Sequence, residues 1–505
     1  MRRTKIRNND LQKIGYYEAP ILKLAGKIAN QLIGQKQATK EALLSLLKGL
    51  LENPDNFTEP PFDQLAQKVK EHQPANDLRR QEEAQHELKP EPIPFPIYGG
   101  ENIEVGAIKQ MSTAMQLPIS VAGALMPDAH EGYGLPIGGV LATEADKVIP
   151  YAVGVDIACR MCLSVFELNA DYLVKKRNQL KNLLLKNTCF GAGKGFENPR
   201  HDDLFDKPEW RATKVIRDLR KKAIRQVGSS GTGNHFVEWG AIEIVADNTE
   251  LGLPKGQYLA LLSHSGSRGF GAGIAGHYTQ IAMEKTKLPK FARHLAWLDL
   301  NTEEGQEYWI GMHLAGEYAS ANHHQIHRKM AESLETKPLK IIENHHNFAW
   351  KDTLPNGTEV IVHRKGATPA HESEFGIIPG SMAAPGYLVQ GLGKGDAIYS
   401  ASHGAGRQLS RNKARKNLTE DEVNKVLKAN GVLLLGGDLD EAPMAYKNID
   451  EVMQQQTDLV KVIGRFSPSI VRMADKEKWM PKKSRGGKRQ GRLDKNTGDI
   501  SFNET

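Results

Sequence analysis

Ile21, Leu24, Ala25 and Ile28 recur at the three- and four-residue intervals that give a helix one apolar stripe, so the N-terminal zone is expected to be helical. A charged stretch from Gln67 to Pro90 follows and reads as a linker. The central zone changes character: short apolar β-type runs alternate with Gly-rich turns and a few helical stretches, at Asp171 to Asn187, Trp210 to Gln226 and Glu303 to Leu334. Thr419 and Glu422 have the spacing of a capping box, and Gly431 stands where a helix-ending glycine belongs. No repeat of 20 to 50 residues is visible. Many short β runs among separated helices predict an α+β fold with mainly antiparallel sheet. The expected organisation is a helical accessory segment and linker over 1–95, a core over 96–475 and a basic tail over 476–505.

Charge changes this picture only at the end of the chain. The 505 residues carry a formal charge of +7, and residues 476–495 hold nine Lys or Arg against two acids, so the remainder is balanced. Such a tail reads as a solvated end or a polyanion contact. Three cysteines in 505 residues make no disulfide framework, and the charged start, Met1 to Asp10, has no apolar signal segment behind it. A reducing cytosolic setting is expected. No run reaches the roughly 20 apolar residues of a spanning helix, so no membrane integration is expected.

Candidate chemistry lies at the ends of the β runs. "YLALLSH" ends at His264, "LKIIENHH" at His346, "EVIVH" at His363 and "DAIYSASH" at His403; "VGVDIAC" ends at Cys159, and "GTGNHFVEW" carries His235. Asp156 and Cys159 each offer an anionic ligand, and a thiolate can bridge two metals. Cys162 makes a nominal Cys-x2-Cys pair with Cys159, but no second pair completes a zinc ribbon, and a buried structural cysteine explains it equally well. His345 and His346 point to opposite faces of an extended strand, so at most one enters a site. Asp156, Cys159, His235, His264 and His346 together would suit two borderline ions such as Mn²⁺ or Zn²⁺. His313, His323, His324 and His327 lie on a long Gly- and Ala-rich helical pattern and are expected to pack or face solvent. Arg364, Lys365, Ser381, Arg407, Arg411 and Lys413 stand in Gly-rich stretches suited to anions, although neither a Walker loop nor a Rossmann fingerprint is present. Spacing alone leaves His403 open as ligand, nucleophile or packed residue.

"MPDAHEGYGLPIGG", "VGVDIAC", "GTGNHFVE", "SHSGSRG", "HHNFA", "HRKGAT", "IPGSM", "SASHGAGR" and "EAPMAYKNIDEV" occur in this order, and together they resemble the RtcB family of RNA ligases. The resemblance runs from about Pro118 to Arg472. It implies an RtcB-like α+β fold around a central metal cleft. It also implies joining of RNA 3'-phosphate or 2',3'-cyclic phosphate ends to 5'-hydroxyl ends, with GTP as co-substrate, two Mn²⁺ ions and, as a potential partner, an archease-type activator. The nucleophile role falls on His403. One ion falls to Asp156, Cys159 and His235, and the other to Cys159, His264 and His346. Guanylate contacts fall to Asn234, His235, Phe236, Val237, Glu238, His346, Asn347, Pro379, Gly380, Ser381, Met382, Gly386, His403, Gly404, Ala405, Gly406 and Arg472.

The chain departs from the family pattern at several points. Ala158 and Arg160 flank Cys159 where the family usually has glycine or a small polar residue, so Arg160 is expected to set a bulky cation beside the metals. Ala383, Ala384, Pro385 and Gly386 replace a Gly-Thr-x-Ser continuation, and Arg472 stands for a family lysine. Sealing of RNA ends is therefore weighed against 3'-end guanylylation or phosphoester hydrolysis without sealing, and against RNA binding by a vestigial site.

Overall fold

A computed structural model describes residues 5–71, 86–247 and 250–476. The basic tail therefore lies, apart from Lys476, outside the described residues. Two compact units divide the chain, Met1–Glu87 and Leu88–Thr505. The division precedes the expected boundary at 95 because Leu88, Ile93 and Phe95 already pack on the apolar cluster of Met111, Met115 and Leu125.

The first unit is helical, with Asn8–Gln12, Ala19–Gly34, Lys40–Glu52 and a further helix at 63–71. Ile21, Ala25 and Ile28 face Leu43, Leu47 and Leu50 in a shared core, and Leu24 is half-buried at its edge.

The second unit is built on two sheets. The smaller comprises β1 (Ser120–His130), β2 (Ile137–Glu144), β7 (Asn347–Thr353) and β8 (Glu359–Lys365), in the order β1-β2-β8-β7. The larger contains β3 (Arg160–Phe166), β4 (Phe236–Ile244), β5 (Gly256–Ser265), β6 (Pro338–His345), β9 (Phe375–Ile378), β10 (Gly386–Gly391) and β11 (Val460–Met473), in the order β9-β10-β11-β4-β5-β3-β6. These neighbours all pair antiparallel, and one short strand, Leu433–Leu435, adds to β11 in parallel. The fold is α+β, as expected.

Alternation along the strands sorts their residues onto two faces. Val237, Trp239, Leu259 and Leu261 meet Ile326 and Met330 of the long helix Glu303–Ser333. Met161, Leu262, Ile342 and Phe466 pack on the other face. Behind the long helix, Trp210, Phe270 and Tyr318 join Phe205 in an aromatic cluster.

Several local expectations change. Helix 171–187 is interrupted at Lys176, between Tyr172–Lys175 and Arg177–Asn187. The helix expected from Trp210 starts at Lys214, because Thr213 accepts a hydrogen bond from the Ile216 amide as N-cap. "VGVDIAC" is not a strand: Pro150–Val153 is a helical turn, and a loop follows to Arg160. The capping box of Thr419 and Glu422 forms, and Gly431 has φ +67°.

Trp210→Ala removes the centre of the aromatic cluster and is expected to cost about 3–5 kcal/mol. A lower urea midpoint at unchanged transition slope would record the loss.

Candidate active site

The functional side chains gather where the chain crosses from the larger sheet to the smaller. β6 ends at His345 and β7 begins at Asn347, so His346 alone spans the seam. Its carbonyl accepts from the Gly366 amide at 2.8 Å, and its own amide donates to the Cys159 carbonyl at 3.0 Å. The Ala158 amide donates to the Asn347 carbonyl at 2.6 Å. These bonds pin the turn that carries Asp156 and Cys159 against the seam.

Around that turn, the Cys159 Sγ lies 3.1 Å from His264 Nε2 and 3.4 Å from His235 Nε2. His264 Nε2 is 3.2 Å from His346 Nε2, and His235 Nε2 is 2.8 Å from an Asp156 carboxylate oxygen. The outer ring nitrogens fix the tautomers. His235 Nδ1 donates to the Ser230 carbonyl at 2.6 Å, and His264 Nδ1 to the Asn234 carbonyl at 3.1 Å. Each ring thus turns its Nε2 inward, the arrangement that orients metal-binding histidines. His346 Nδ1 is buried with no hydrogen-bond partner.

Three imidazole nitrogens, a sulfur and a carboxylate oxygen converge there, a donor set that a cation would satisfy. They form two overlapping ligand sets, Asp156 with Cys159 and His235, and Cys159 with His264 and His346. The donors therefore fit two divalent ions sharing one thiolate. Burial, reinforced by Asp156, pushes the Cys159 thiol up, and burial pushes His264 and His346 down. For Asp156 the upward push of burial is outweighed by His235 and Arg268, which leave the carboxyl at about 2.

His403 stands beside this cluster without belonging to either ligand set. It follows the short strand Ser400–Ser402, and its ring lies 4.9 Å, centre to centre, from that of His346. One carboxylate oxygen of Asp128 accepts from His403 Nδ1 at 2.6 Å, from the His403 amide at 3.1 Å and from the Gly404 amide at 3.3 Å. Burial pushes the Asp128 carboxyl up, but His403 and Lys447 outweigh it and hold it below the usual carboxylate range. An ionised Asp128 accepts a hydrogen bond from Nδ1–H, and this turns Nε2 away from the carboxylate as the atom left to act. Gly406 closes the turn at φ +70°, with no room for a side chain: a Cβ would come within 2.0 Å of the Asp128 carbonyl.

A cleft of about 690 Å³ opens over both features. Asn234, Phe236, Glu238, Asn347, Pro379, Gly380, Ser381, Met382, Gly386, His403, Gly404, Ala405 and Gly406 line it, together with Cys159, His264 and His346. Burial pushes the Glu238 carboxyl well up, favouring a protonated acid that can donate. A second cleft of about 790 Å³ shares Asp156 and is lined by basic Lys222, Arg268, Arg293 and Arg415 and by acidic Asp438, Asp440, Glu441 and Asp475; His235 faces it.

The family model described as tRNA-splicing ligase RtcB matches residues 110–207 and 203–474. The chain belongs to the RtcB family. RNA-splicing ligase RtcB of Escherichia coli (strain K12) is 34% identical over 397 residues, covering 72% of this chain and 93% of the relative. For tRNA-splicing ligase RtcB of Nanoarchaeum equitans (strain Kin4-M) the identity is 31% over 453 residues, covering 75% and 95%. Thermococcus kodakarensis (strain ATCC BAA-918 / JCM 12380 / KOD1) has a tRNA-splicing ligase RtcB 30% identical over 433 residues, covering 72% and 89%.

Among the RtcB departures, Arg160 corrects its expectation. Its guanidinium turns from the ligands to Glu343 at 2.9 Å, the Gly316 carbonyl at 3.2 Å and His345 Nδ1 at 3.2 Å. Ala158 has φ +57°, where glycine is at ease and alanine is strained. Of the expected guanylate contacts, His235 lines the second cleft rather than the first, and two more, Val237 and Arg472, stand outside the lining of the first. They pair across β4 and β11 with side chains on the helix-facing side; Arg472 bonds the Leu435 carbonyl and Asp475.

The basic residues expected to receive anions are already partnered in several cases. Arg364 is buried, bonding Ser400 Oγ at 2.7 Å and the Ile398 carbonyl at 3.0 Å. Arg407 bonds Glu441 at 3.1 Å, and Arg411 bonds Asp440 at 2.8 Å and also Glu441. His363 is structural, accepting from the Ile149 amide at 2.9 Å. Sequence reasoning missed Asp128, Lys447, Asp440 and Glu441. Asp128 had a readable signal, a lone acid inside the apolar run Ala124 to Ala129. Such a buried charge requires a partner.

Equilibrium dialysis with Mn²⁺ is expected to yield about two bound equivalents, none after Cys159→Ala and about one after His346→Ala, because only the thiolate is common to both sets.

Proposed function

We propose that this RtcB-family chain seals RNA 3'-phosphate or 2',3'-cyclic phosphate ends to 5'-hydroxyl ends, using GTP and two Mn²⁺ ions. The observation that carries the reading is His403, oriented through Nδ1 by a buried carboxylate and facing the cleft beside the metal-binding cluster.

In this reading His403 Nε2 attacks the α-phosphorus of GTP, forming an N–P bond as the bond to pyrophosphate breaks. Asp128 keeps the Nδ1 proton at Nδ1 and stabilises the positive charge that the ring acquires. The RNA 3'-phosphate then displaces His403 and takes the guanylate. Attack by the 5'-hydroxyl forms the phosphodiester and releases GMP. Bound divalent ions supply charge neutralisation and, for a cyclic phosphate, an activated water. The turn Gly404 to Gly406 and the segment Pro379 to Met382 bound the nucleotide space, and Glu238 offers a proton to the base. Lys222, Arg268 and Arg293 give the adjoining cleft cations for the RNA backbone. The unpaired cysteines suit a reducing cytoplasm.

GTP labelled at the α-phosphate is expected to mark the protein in the presence of Mn²⁺, with no label on His403→Ala. Asp128→Asn is expected to slow labelling by roughly 10²–10⁴-fold while leaving Mn²⁺ binding intact. Joining of a 3'-phosphate RNA to a 5'-hydroxyl RNA completes the test. Absence of label overturns the reading, and label without joining assigns end guanylylation instead.

A further inference from the structure

A second group of sulfur and nitrogen donors lies on the opposite face of the same strands. Cys162 on β3 is register-paired with Ser263 on β5, and both side chains point away from the RNA-ligase cleft toward the helix Glu303–Ser333. That helix presents His323 and His327, four residues and hence about one turn apart on one side. Cys162, His323 and His327 place ligand atoms within 4.8 Å of one another. All three are buried: Cys162 and His323 are 0% exposed and His327 2%.

The hydrogen bonds around them show how the rings are aimed. The outer nitrogen of His323, Nε2, donates to the Ser265 carbonyl at 3.0 Å, and that of His327, Nδ1, meets Ser164 Oγ at 2.7 Å. The inner nitrogens converge on Ser263 Oγ, His323 Nδ1 at 2.6 Å and His327 Nε2 at 2.7 Å. Anchored outer nitrogens with converging inner ones are the arrangement that holds imidazoles on a metal. Burial keeps the rings neutral, lowering His323 to about 3 and His327 well below its usual range.

We propose that Cys162, His323 and His327, with Ser263 Oγ adjoining as a fourth donor, form a structural site for a thiolate-preferring divalent cation of the zinc class. One soft thiolate and two imidazoles select such an ion over Mg²⁺ or Ca²⁺. On binding, the Cys162 thiol loses its proton to solvent. His327 carries its remaining proton on Nδ1, donated to Ser164, and coordinates through Nε2. His327 also borders a surface cavity of about 780 Å³, which provides an entry path. The ion would join the central strands β3 and β5 to the long helix, and so brace from behind the strand that carries His264. The competing arrangement is a hydrogen-bonded chain from Ser164 through His327, Ser263 and His323 to the Ser265 carbonyl, which satisfies each of these groups without a metal.

The test uses two full-length backgrounds, Cys159→Ala alone and Cys159→Ala combined with His264→Ala, that remove the thiolate common to both cleft ligand sets. Elemental analysis after zinc loading and desalting is expected to find about one tightly held equivalent in both. Co²⁺ loading is expected to produce a thiolate-to-cobalt charge-transfer band in Cys159→Ala. Adding Cys162→Ser should abolish the band, and adding His327→Gln should weaken zinc affinity by about 10-fold or more. A folded background that retains no zinc, or a cobalt band indifferent to Cys162→Ser, overturns the proposal and leaves the hydrogen-bonded chain only. Should Cys162→Ser fail to fold, the His327→Gln affinity decides in the same way.

Discussion

The backbone bonds at the seam between the two sheets are the constraint on which the site depends. His346 is the one residue between β6 and β7, and its amide and carbonyl tie the Cys159 turn on one side to Gly366 on the other. If those bonds loosen, the Cys159 turn loses its register with His346, and its distance from His264 is no longer set. The stiffness of paired strands is thereby transmitted to a loop that would otherwise be free to adapt. The same seam brings His346 next to His403, so His403 and the donor cluster are fixed by one junction rather than by two independent loops.

Charge around this junction is balanced locally on each of its two sides. Asp128, wholly buried, is balanced by His403 and by Lys447, whose ammonium also bonds the Pro127 and Ala129 carbonyls. Neighbouring His130 is pushed by burial down to about 4 and contributes no charge near neutrality. On the far rim, Arg407 and Arg411 are held by Asp440 and Glu441. An incoming phosphate therefore competes with carboxylates already in place, which favours a ligand carrying several negative charges over a single weak anion.

Much of this was legible in the sequence for a physical reason: candidate site residues at strand ends follow short, unmistakable apolar runs. His264, His346 and His403 fall where such runs stop, and the capping box at Thr419 is a local signal needing no tertiary context. What escaped depended on the side a residue faces or on remote contacts. Arg160 stands next to Cys159 in the chain but belongs with Glu343 across the sheet. Val237 and Arg472 sit in the right strands with the wrong alternation. The helix Arg268–Lys285 is hidden by its glycines, which look like loop; at Gly273 a Cβ would press on the Leu219 side chain of the packed helix at 2.6 Å. Asp440 and Glu441 announce nothing locally, since their arginine partners lie some thirty residues away.

The alternation of β3 and β5 has a consequence for how the protein tolerates change. His264 is an even-numbered residue of its strand and serves the cleft, whereas Ser263 and Ser265 are odd and serve the helix side; Cys162 and Ser164 share that side on β3. The two donor groups are thus distinguished by parity alone. A single-residue insertion or deletion within either strand would not merely displace one group but exchange what the two faces present, putting hydroxyls in the cleft and an imidazole against the helix. These strands therefore behave as a reading frame: substitutions are absorbed one position at a time, while a change in length corrupts every position beyond it.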